Sequence, residues 1–484
     1  MPAAPPLPSP FSSHSFSSPP SPTYILRHHA HPVAVLTASS CNRFLLSGDT
    51  EGHVALWDLQ TFRVRRSWKA HEGGLLGVEE WKGKEGGGGV LTQGRDNSLN
   101  LFRFSPSPSS STSSSSSAPS PSTSSTEPSS SAFSATPEKA WSMPINAMNF
   151  CRMSVLPLSR PSLAGRQGKG RAVEEEHNEG EDGGRVEGDG EGEALVAVVS
   201  LTKDEMVDIF HLPSQARVHR SVGSGAFAIG EKTGSVMAVH LFHLRSSSLS
   251  STSSFSPSSA SPASTQQLHL LIGYESGQLA LFRFTPTPSF SLSSSSSVNL
   301  PVKGKMVEEG EGWEMIWCEK GHRDAVMSLS LSYDKRFAYT VAADHFVVKY
   351  RVFDLNEEEA LLPRSHVEPT PSPGKSAVAV REDGKLLATA GWDGELRLYS
   401  AKTLSPLAVL SHHRLSLQAL AFSPLTPSST SPLADALTAA DGTGEADESS
   451  DEEEGGEGGG RVWLAAAGQE GKVSLWEVYP PKGK

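Results

Sequence analysis

Histidines and carboxylates held in a fixed register are the raw material of proton transfer and metal binding. Four histidines here share one register. His29, His71, His322 and His413 each stand four residues before a Val or Leu, in "HAHPV", "HEGGL", "HRDAV" and "HRLSL". Carboxylates share another. Glu51 lies six residues before Trp57, Asp96 before Phe102, Asp204 before Phe210, Asp344 before Tyr350, Asp393 before Tyr399 and Glu470 before Trp476. A seventh copy, "GYESGQLALFRF", places Ser276 ahead of Phe282 and keeps the apolar pattern. A metal site needs ligands that converge on one point, whereas a residue repeated once per unit is held away from its copies. The pattern therefore reads as scaffold, with His, turn carboxylate and strand-end aromatic forming a hydrogen-bonded clasp between strands. No P-loop, no G-x-S-x-G and no metal-spaced Cys pair occurs, and "GSGAF" (Gly223 to Phe227) lacks the spacing of a dinucleotide fingerprint. No catalytic, cofactor-binding or metal-ligating residue is expected, and the chain reads as a non-enzyme.

The elements around these residues repeat with them. Each copy is a tight turn followed by an alternating strand that ends in an aromatic. Upstream lies a second short strand ("FLLSG", "GVLTQ", "ALVAVVS", "LHLLIG", "FAYTVA", "KLLATAG", "VWLAAAG"). Further upstream lies a third ("PVAVLTA", "LLGVEEW", "INAMNFC", "SVMAVHL", "AVMSLSL", "SAVAV", "SLQALAF"). The foldable part of the chain gives roughly 42 residues per unit, the length of a four-stranded WD40 blade. Such units bury their faces only by stacking radially around a channel. The fold class is therefore all-β: a single seven-bladed WD40 propeller over 23–479. The lone strand in "TYILRHH" (Thr23 to His29) precedes the first full set, and the last blade lacks its outer strand, so the N-terminal strand is expected to close the ring.

The remainder is low in the apolar residues that offset chain entropy. A Pro/Ser-rich tail covers 1–22, inserts read as disordered lie near 105–136, 157–193, 246–266, 285–311, 357–372 and 424–460, and 480–484 forms a short tail. Much of the net charge of −12 is carried by two of these stretches, with ten Asp/Glu against one Arg in 172–193 and nine Asp/Glu without Lys or Arg in 441–460. The folded part is mildly basic without a concentrated stripe, so no direct nucleic-acid contact is expected. Cys41, Cys151 and Cys318 suggest neither a disulfide framework nor a metal site, which fits a reducing compartment. The Pro-broken N-terminus is not a secretory signal, and no apolar run is long enough to span a membrane. Nucleus and cytoplasm are the expected locations.

Particular strings are more specific than a generic repeat. "PTYILRHHAHPVAVL", "FLLSGDTEGHVALWDLQTFRVRRSWKAHEGGLLGV" and "VLTQGRDNSLNLFRF" near the start resemble the ASTRA-associated protein 1 family. So do "LLATAGWDGELRLYSAKTLSPLAVLSHHRLSLQALAFSP" and "LAAAGQEGKVSLWEVYP" near the end. Animal relatives of that family are called guanine nucleotide-binding protein β-subunit-like. The resemblance covers about the first and last hundred residues and implies a non-catalytic protein-interaction scaffold, a monomer within a larger complex. Its implied partners are subunits of ASTRA, a chromatin-associated assembly, with the TTT co-chaperone that matures PI3K-like kinases and acts in telomere and DNA-damage signalling. His28 stands where family members carry Gly, and Glu51 where they carry Asp; both changes suit a scaffold. A chromatin or histone-tail reader is the alternative. A G-protein β-like subunit is a weaker one, because 1–22 holds eight Pro and cannot form the N-terminal helix used to pair with a γ chain.

Aromatic and Arg side chains are favoured anchors at interfaces. Candidate partner-binding residues are Trp68, Glu72, Arg95, Asn97 and Trp392, together with His71. Trp68 has the competing reading of a residue packed between blades, and Arg95 and Asn97 that of ordering the turn around Asp96. Ser449 and Ser450, each with a Glu three residues on, are candidate phosphorylation sites in the acidic insert.

Overall fold

The structure is a computed structural model. It describes residues 20–82, 88–104, 136–158, 192–227, 232–245, 266–292, 299–302, 305–354, 356–428, 431–441 and 461–478. Seven four-stranded antiparallel sheets follow one another along the chain as the blades of a propeller. The inner strands are Val33–Ala38, Leu75–Lys82, Ser154–Pro157, Val236–Arg245, Val326–Leu331, Lys375–Val380 and Leu417–Phe422. The second strands are largely buried, and Ala194–Val199 and Trp463–Gly468 are buried throughout, because neighbouring blades cover both of their faces.

The core is a ring of seven apolar clusters, one at each interface between consecutive blades. The ring closes as the sequence suggests. Tyr24–Arg27 pairs with Lys472–Glu477 as the outer strand of blade seven, in the register Tyr24↔Leu475 to Arg27↔Lys472. Leu26 enters the cluster between blades seven and one, and Tyr24 stacks on Phe62 with ring centroids 3.6 Å apart.

Irregularities recur with the repeat. Six of the seven inner strands carry a β-bulge near their start, as between Val33 and Val35 or Leu75 and Gly77. A bulge sharpens the local twist, and here it turns the strand into the channel wall. In the turn after the second strand, Gly52 has φ 87° and a Cβ there would collide with the carbonyl of His71, so blade two can close on blade one only over a glycine. Asn97 holds the matching position in blade two at φ 59°. Its carboxamide oxygen accepts from the Ala147 N–H at 3.0 Å, giving that turn a side-chain tie a glycine could not provide.

Three stretches read as inserts contain ordered elements. Ser365–Pro369, inside 357–372, is the outer strand of blade five, preceded by a one-turn helix, α1 (Glu357–Ala360). Phe290–Leu292 and Asn299–Pro301, inside 285–311, pair as a small hairpin. Pro432–Asp441, inside 424–460, forms helix α2. Leu433, Ala436 and Leu437 of α2 enter the cluster between blades one and two, so this insert from blade seven crosses to cover its neighbours. One expected strand is absent. "INAMNFC" falls on the loop Ile145–Cys151, and the inner strand of blade three begins later, at Ser154.

Candidate interaction surface

A histidine meets a carboxylate in blades one, two and five, and among the strand-end aromatics Trp57 and Trp476 add a hydrogen bond to their clasps. In blade one, His29 Nδ1 lies 2.9 Å from Asp49 Oδ2 and its Nε2 lies 2.7 Å from Ser47 Oγ, which also accepts from Trp57 Nε1 at 2.7 Å. The partner is Asp49, two residues before the expected Glu51, which is exposed and donates its backbone N–H to Asp49. Burial works against the charge on Asp49. Hydrogen bonds from His29 and from the backbone N–H groups of His53 and Glu51 outweigh it and hold the carboxyl at about 2. In blade two, His71 meets Asp96 at 2.9 Å and Thr92 at 2.8 Å. In blade five, His322 meets Asp344 at 3.1 Å and Thr340 at 2.7 Å.

The other blades vary the clasp. In blade seven Ser474 replaces the second-strand hydroxyl, lying 2.9 Å from His413 Nε2 and accepting from Trp476 Nε1 at 3.0 Å, with Glu470 only 4.0 Å from His413 Nδ1. Burial, then His412, drives the His413 pKa down to about 4. Blade six has no histidine: Arg397 donates to both oxygens of Asp393, at 3.1 and 2.6 Å. In blade three Asp204 accepts from Ser235 at 2.9 Å, and in blade four Ser276 pairs with Gln278. Phe102, Phe210, Phe282, Tyr350 and Tyr399 are buried in the clusters between blades. These polar groups serve four or more different blades, and among the described residues no group of three or more His, Cys, Asp or Glu could hold a metal ion.

The partner-binding candidates separate. Trp68 is buried in the blade one–two cluster, with its ring 5.8 Å from Phe102 and 6.0 Å from Phe104; it is core. Asn97 orders its turn. Glu72 is exposed, pairs with Lys69 at 3.1 Å and passes its backbone N–H to Asp96. Arg95 and Trp392, from blades two and six, are brought together at one mouth of the channel, around a cavity of about 620 Å³. Trp392 is 45% exposed and lies flat on Gly374, where a Cβ would strike the indole. Ser449 and Ser450 fall outside the described residues.

Two residues at this mouth were not anticipated. Phe150 is 59% exposed and carries the Arg95 guanidinium 4.3 Å above its ring centroid. Arg152 crosses the channel to donate to the carbonyls of Ala34 at 2.8 Å and Gln418 at 3.2 Å, joining blades three, one and seven. Their loop is pinned by Asn149, which donates to the Val236 carbonyl at 2.6 Å and accepts from the Cys151 N–H at 3.1 Å. The signal in the sequence was "NFCRM", an aromatic and an Arg in a segment with two Asn, misread as strand.

The opposite mouth differs in charge. Its cavity of about 530 Å³ is bordered by Glu79, Glu80, Glu193 and Glu382, with His240 and Lys335. Burial pushes Glu79 up to about 7 against the pull of Arg152. Glu80 accepts from the Ser40 N–H at 2.8 Å and from Ser431 Oγ at 2.7 Å, and Glu382 accepts from the Leu425 N–H at 2.7 Å. The strap leading into α2 is thus latched across this end, while the Arg95–Trp392 end is bounded by turns and by the loop that carries Phe150 and Arg152.

The closed ring and its clasps define the fold, and comparison with known proteins gives the lineage. The family model described as WD domain, G-beta repeat matches residues 20–58 and 370–400. An ASTRA-associated protein 1 from Aspergillus flavus is 30% identical, with 95% of this chain and 98% of that protein aligned. The chain belongs to the ASTRA-associated protein 1 family. The protein of that name from Penicillium rubens is 29% identical over 96% of this chain and 98% of its own length. That from Schizosaccharomyces pombe is 27% identical over 84% and 94%. The likeness runs through the middle blades as well as the two ends. Family and propeller together point to a protein-interaction scaffold working within a complex.

Proposed function

We propose that this chain is a non-catalytic adaptor in an ASTRA-type assembly, working with the TTT co-chaperone in the maturation of PI3K-like kinases and so linked to chromatin and telomere functions, in both nucleus and cytoplasm. Near full-length similarity to proteins named ASTRA-associated protein 1 carries the reading. A propeller whose repeated histidines and turn carboxylates serve its own turns, with one mouth bearing Arg and aromatic side chains, supports it. The histone-tail alternative draws no support from that mouth, whose lining holds Arg95 and Arg152 but no Asp or Glu to receive a lysine or arginine. Affinity purification of the tagged chain from its own cells, followed by mass spectrometry at moderate salt, tests the proposal. TTT subunits and PI3K-like kinases should be recovered, and Trp392→Ala should reduce their yield several-fold at unchanged protein level. Recovery of histones or γ-like chains without TTT would reject it.

A further inference from the structure

The Arg95–Trp392 mouth is chemically one-sided. Its wall contributes two guanidinium groups, two exposed aromatic rings and uncharged hydrogen-bonding groups such as Thr50, Gln418 and Gln469, but no carboxylate. The two arginines differ in what they can still do. Arg152 is committed to the carbonyls of Ala34 and Gln418. Arg95 stacks one face on Phe150, and among the described residues no carboxylate pairs with it. The adjacent Asp96 is held by His71 and Ser98. A guanidinium fixed on an aromatic face keeps its planar N–H edge for an incoming acceptor, which suits a carboxylate in bidentate geometry.

The surroundings extend the site along a polypeptide rather than around a small molecule. Met148, Leu201 and Leu415, 84%, 44% and 50% exposed, lie on loops of the same face, in blades three and seven. Together with Phe150 and Trp392 at the mouth they add exposed apolar side chains to the face that carries Arg95, as interface anchors require. Among the described residues no strap crosses this side: Leu158 follows the inner strand of blade three, and Gly192 and Arg461 precede the second strands of blades three and seven, on the side of the other mouth.

We infer that this mouth docks an extended segment of a partner protein that presents carboxylates beside apolar side chains. The inference rests on the scaffold reading but not on which complex the scaffold serves. The acidic side chain pairs with Arg95, and a neighbouring apolar side chain lies between Phe150 and Trp392. A lysine- or arginine-rich segment would bring like charge to Arg95, whose neighbouring Asp96 is already engaged by His71 and Ser98.

The test uses the purified full chain and a random twelve-residue peptide display library, selected in parallel on the wild type, on Arg95→Glu with Trp392→Ala, and on Tyr333→Ala at the opposite mouth. Thermal melts confirm that the variants are folded. The wild type and Tyr333→Ala should enrich the same Asp/Glu-plus-aromatic or -leucine peptides, and the double variant should bind them at least tenfold more weakly. Binding should weaken as salt rises from low to physiological strength. Should the double variant fold poorly, Arg95→Gln alone should cost several-fold while leaving uncharged analogues of the selected peptides unaffected. Enrichment of basic or uncharged peptides, no enrichment, or equal binding by the double variant would overturn the inference. So would a gain in binding on deleting 172–190 or 445–458, which would make this chain's own acidic inserts the occupant. Because the selection needs no cellular partner, it can succeed where the co-purification fails.

Discussion

Asp49 and Glu51 differ by two positions and one methylene, yet only Asp49 meets His29. Sequence spacing selected Glu51 because it has the six-residue step to the aromatic seen in the other copies. Spacing along a turn does not reveal which carboxylate faces the ring, and in blade one the Asp49 side chain also accepts the backbone N–H groups of Glu51 and His53, closing the turn itself. Asp49→Asn should therefore destabilise the protein by about 1–3 kcal/mol, the cost of weakening a buried charged acceptor. Glu51→Gln should stay within about 0.5 kcal/mol. Urea unfolding of both variants at neutral pH checks this, and equal effects would contradict the assignment. The pH dependence has a definite sign. The Asp49 carboxyl sits at about 2 in the fold against its ordinary 3.8, so the unfolded chain binds the proton more readily. The contribution, about 2 kcal/mol, is complete above pH 4 and is lost as pH falls from there toward 2. In Asp49→Asn that acid loss should shrink by the same amount.

At the scale of elements, what was legible depended on whether a periodicity had one meaning. Strands flanked by turns were, because the period-2 pattern recurs seven times and the copies confirm one another. The loop Ile145–Cys151 shows why one was misread. Ile145, Ala147 and Cys151 are buried while Met148 and Phe150 are exposed, so the alternation is genuine. Asn146 and Asn149, however, accept from the N–H groups two residues on, replacing a strand ladder with two side-chain turns. Helix α2 was hidden by its surroundings. Leu433, Ala436 and Leu437 have helical spacing, and Ser431 receives the Ala434 N–H as an N-cap, but Ser/Pro and acidic runs on either side dominate the composition. Leu433 and Leu437 are 0% and 1% exposed, so α2 is part of the core it covers. Leu437→Ser should release the helix rather than unfold the ring. Amides of 432–441 should exchange at least tenfold faster while those of the second strands stay protected, and a uniform loss of protection would show that α2 holds the propeller together. The loss should stay below the roughly 2–5 kcal/mol of a large-to-small change in an enclosed core, because the helix can detach and solvate the site.

The whole molecule depends on closure, because a radial stack of blades has two vulnerable edges until its ends meet. Four residues, Tyr24–Arg27, make that joint, and they bind through three separate means. Backbone pairing covers Lys472–Leu475, Leu26 is buried between blades seven and one, and Tyr24 packs against Phe62 and Trp463. Removing them bares the outer edge of Lys472–Glu477 and opens the same apolar cluster, so the loss spreads to the blade one interface. Deleting 20–29 should lower the melting temperature by about 10 °C or more, on the scale where a kcal/mol shifts a domain of this size by a few degrees. Concentration-dependent aggregation through the bared edge should accompany it. His29 leaves with that deletion and takes the blade one clasp with it. A narrower variant, Leu26→Asp with His29 intact, therefore isolates closure from the clasp: it should aggregate and melt early, while Asp49→Asn should melt early without aggregating. Deleting only 1–19 should shift the melting temperature by no more than about 2 °C, since the closing joint is left whole. A melt for Leu26→Asp as high as wild type would mean that the seven clusters hold the ring without a closing strand, and that the N-terminal strand serves the blade seven edge alone.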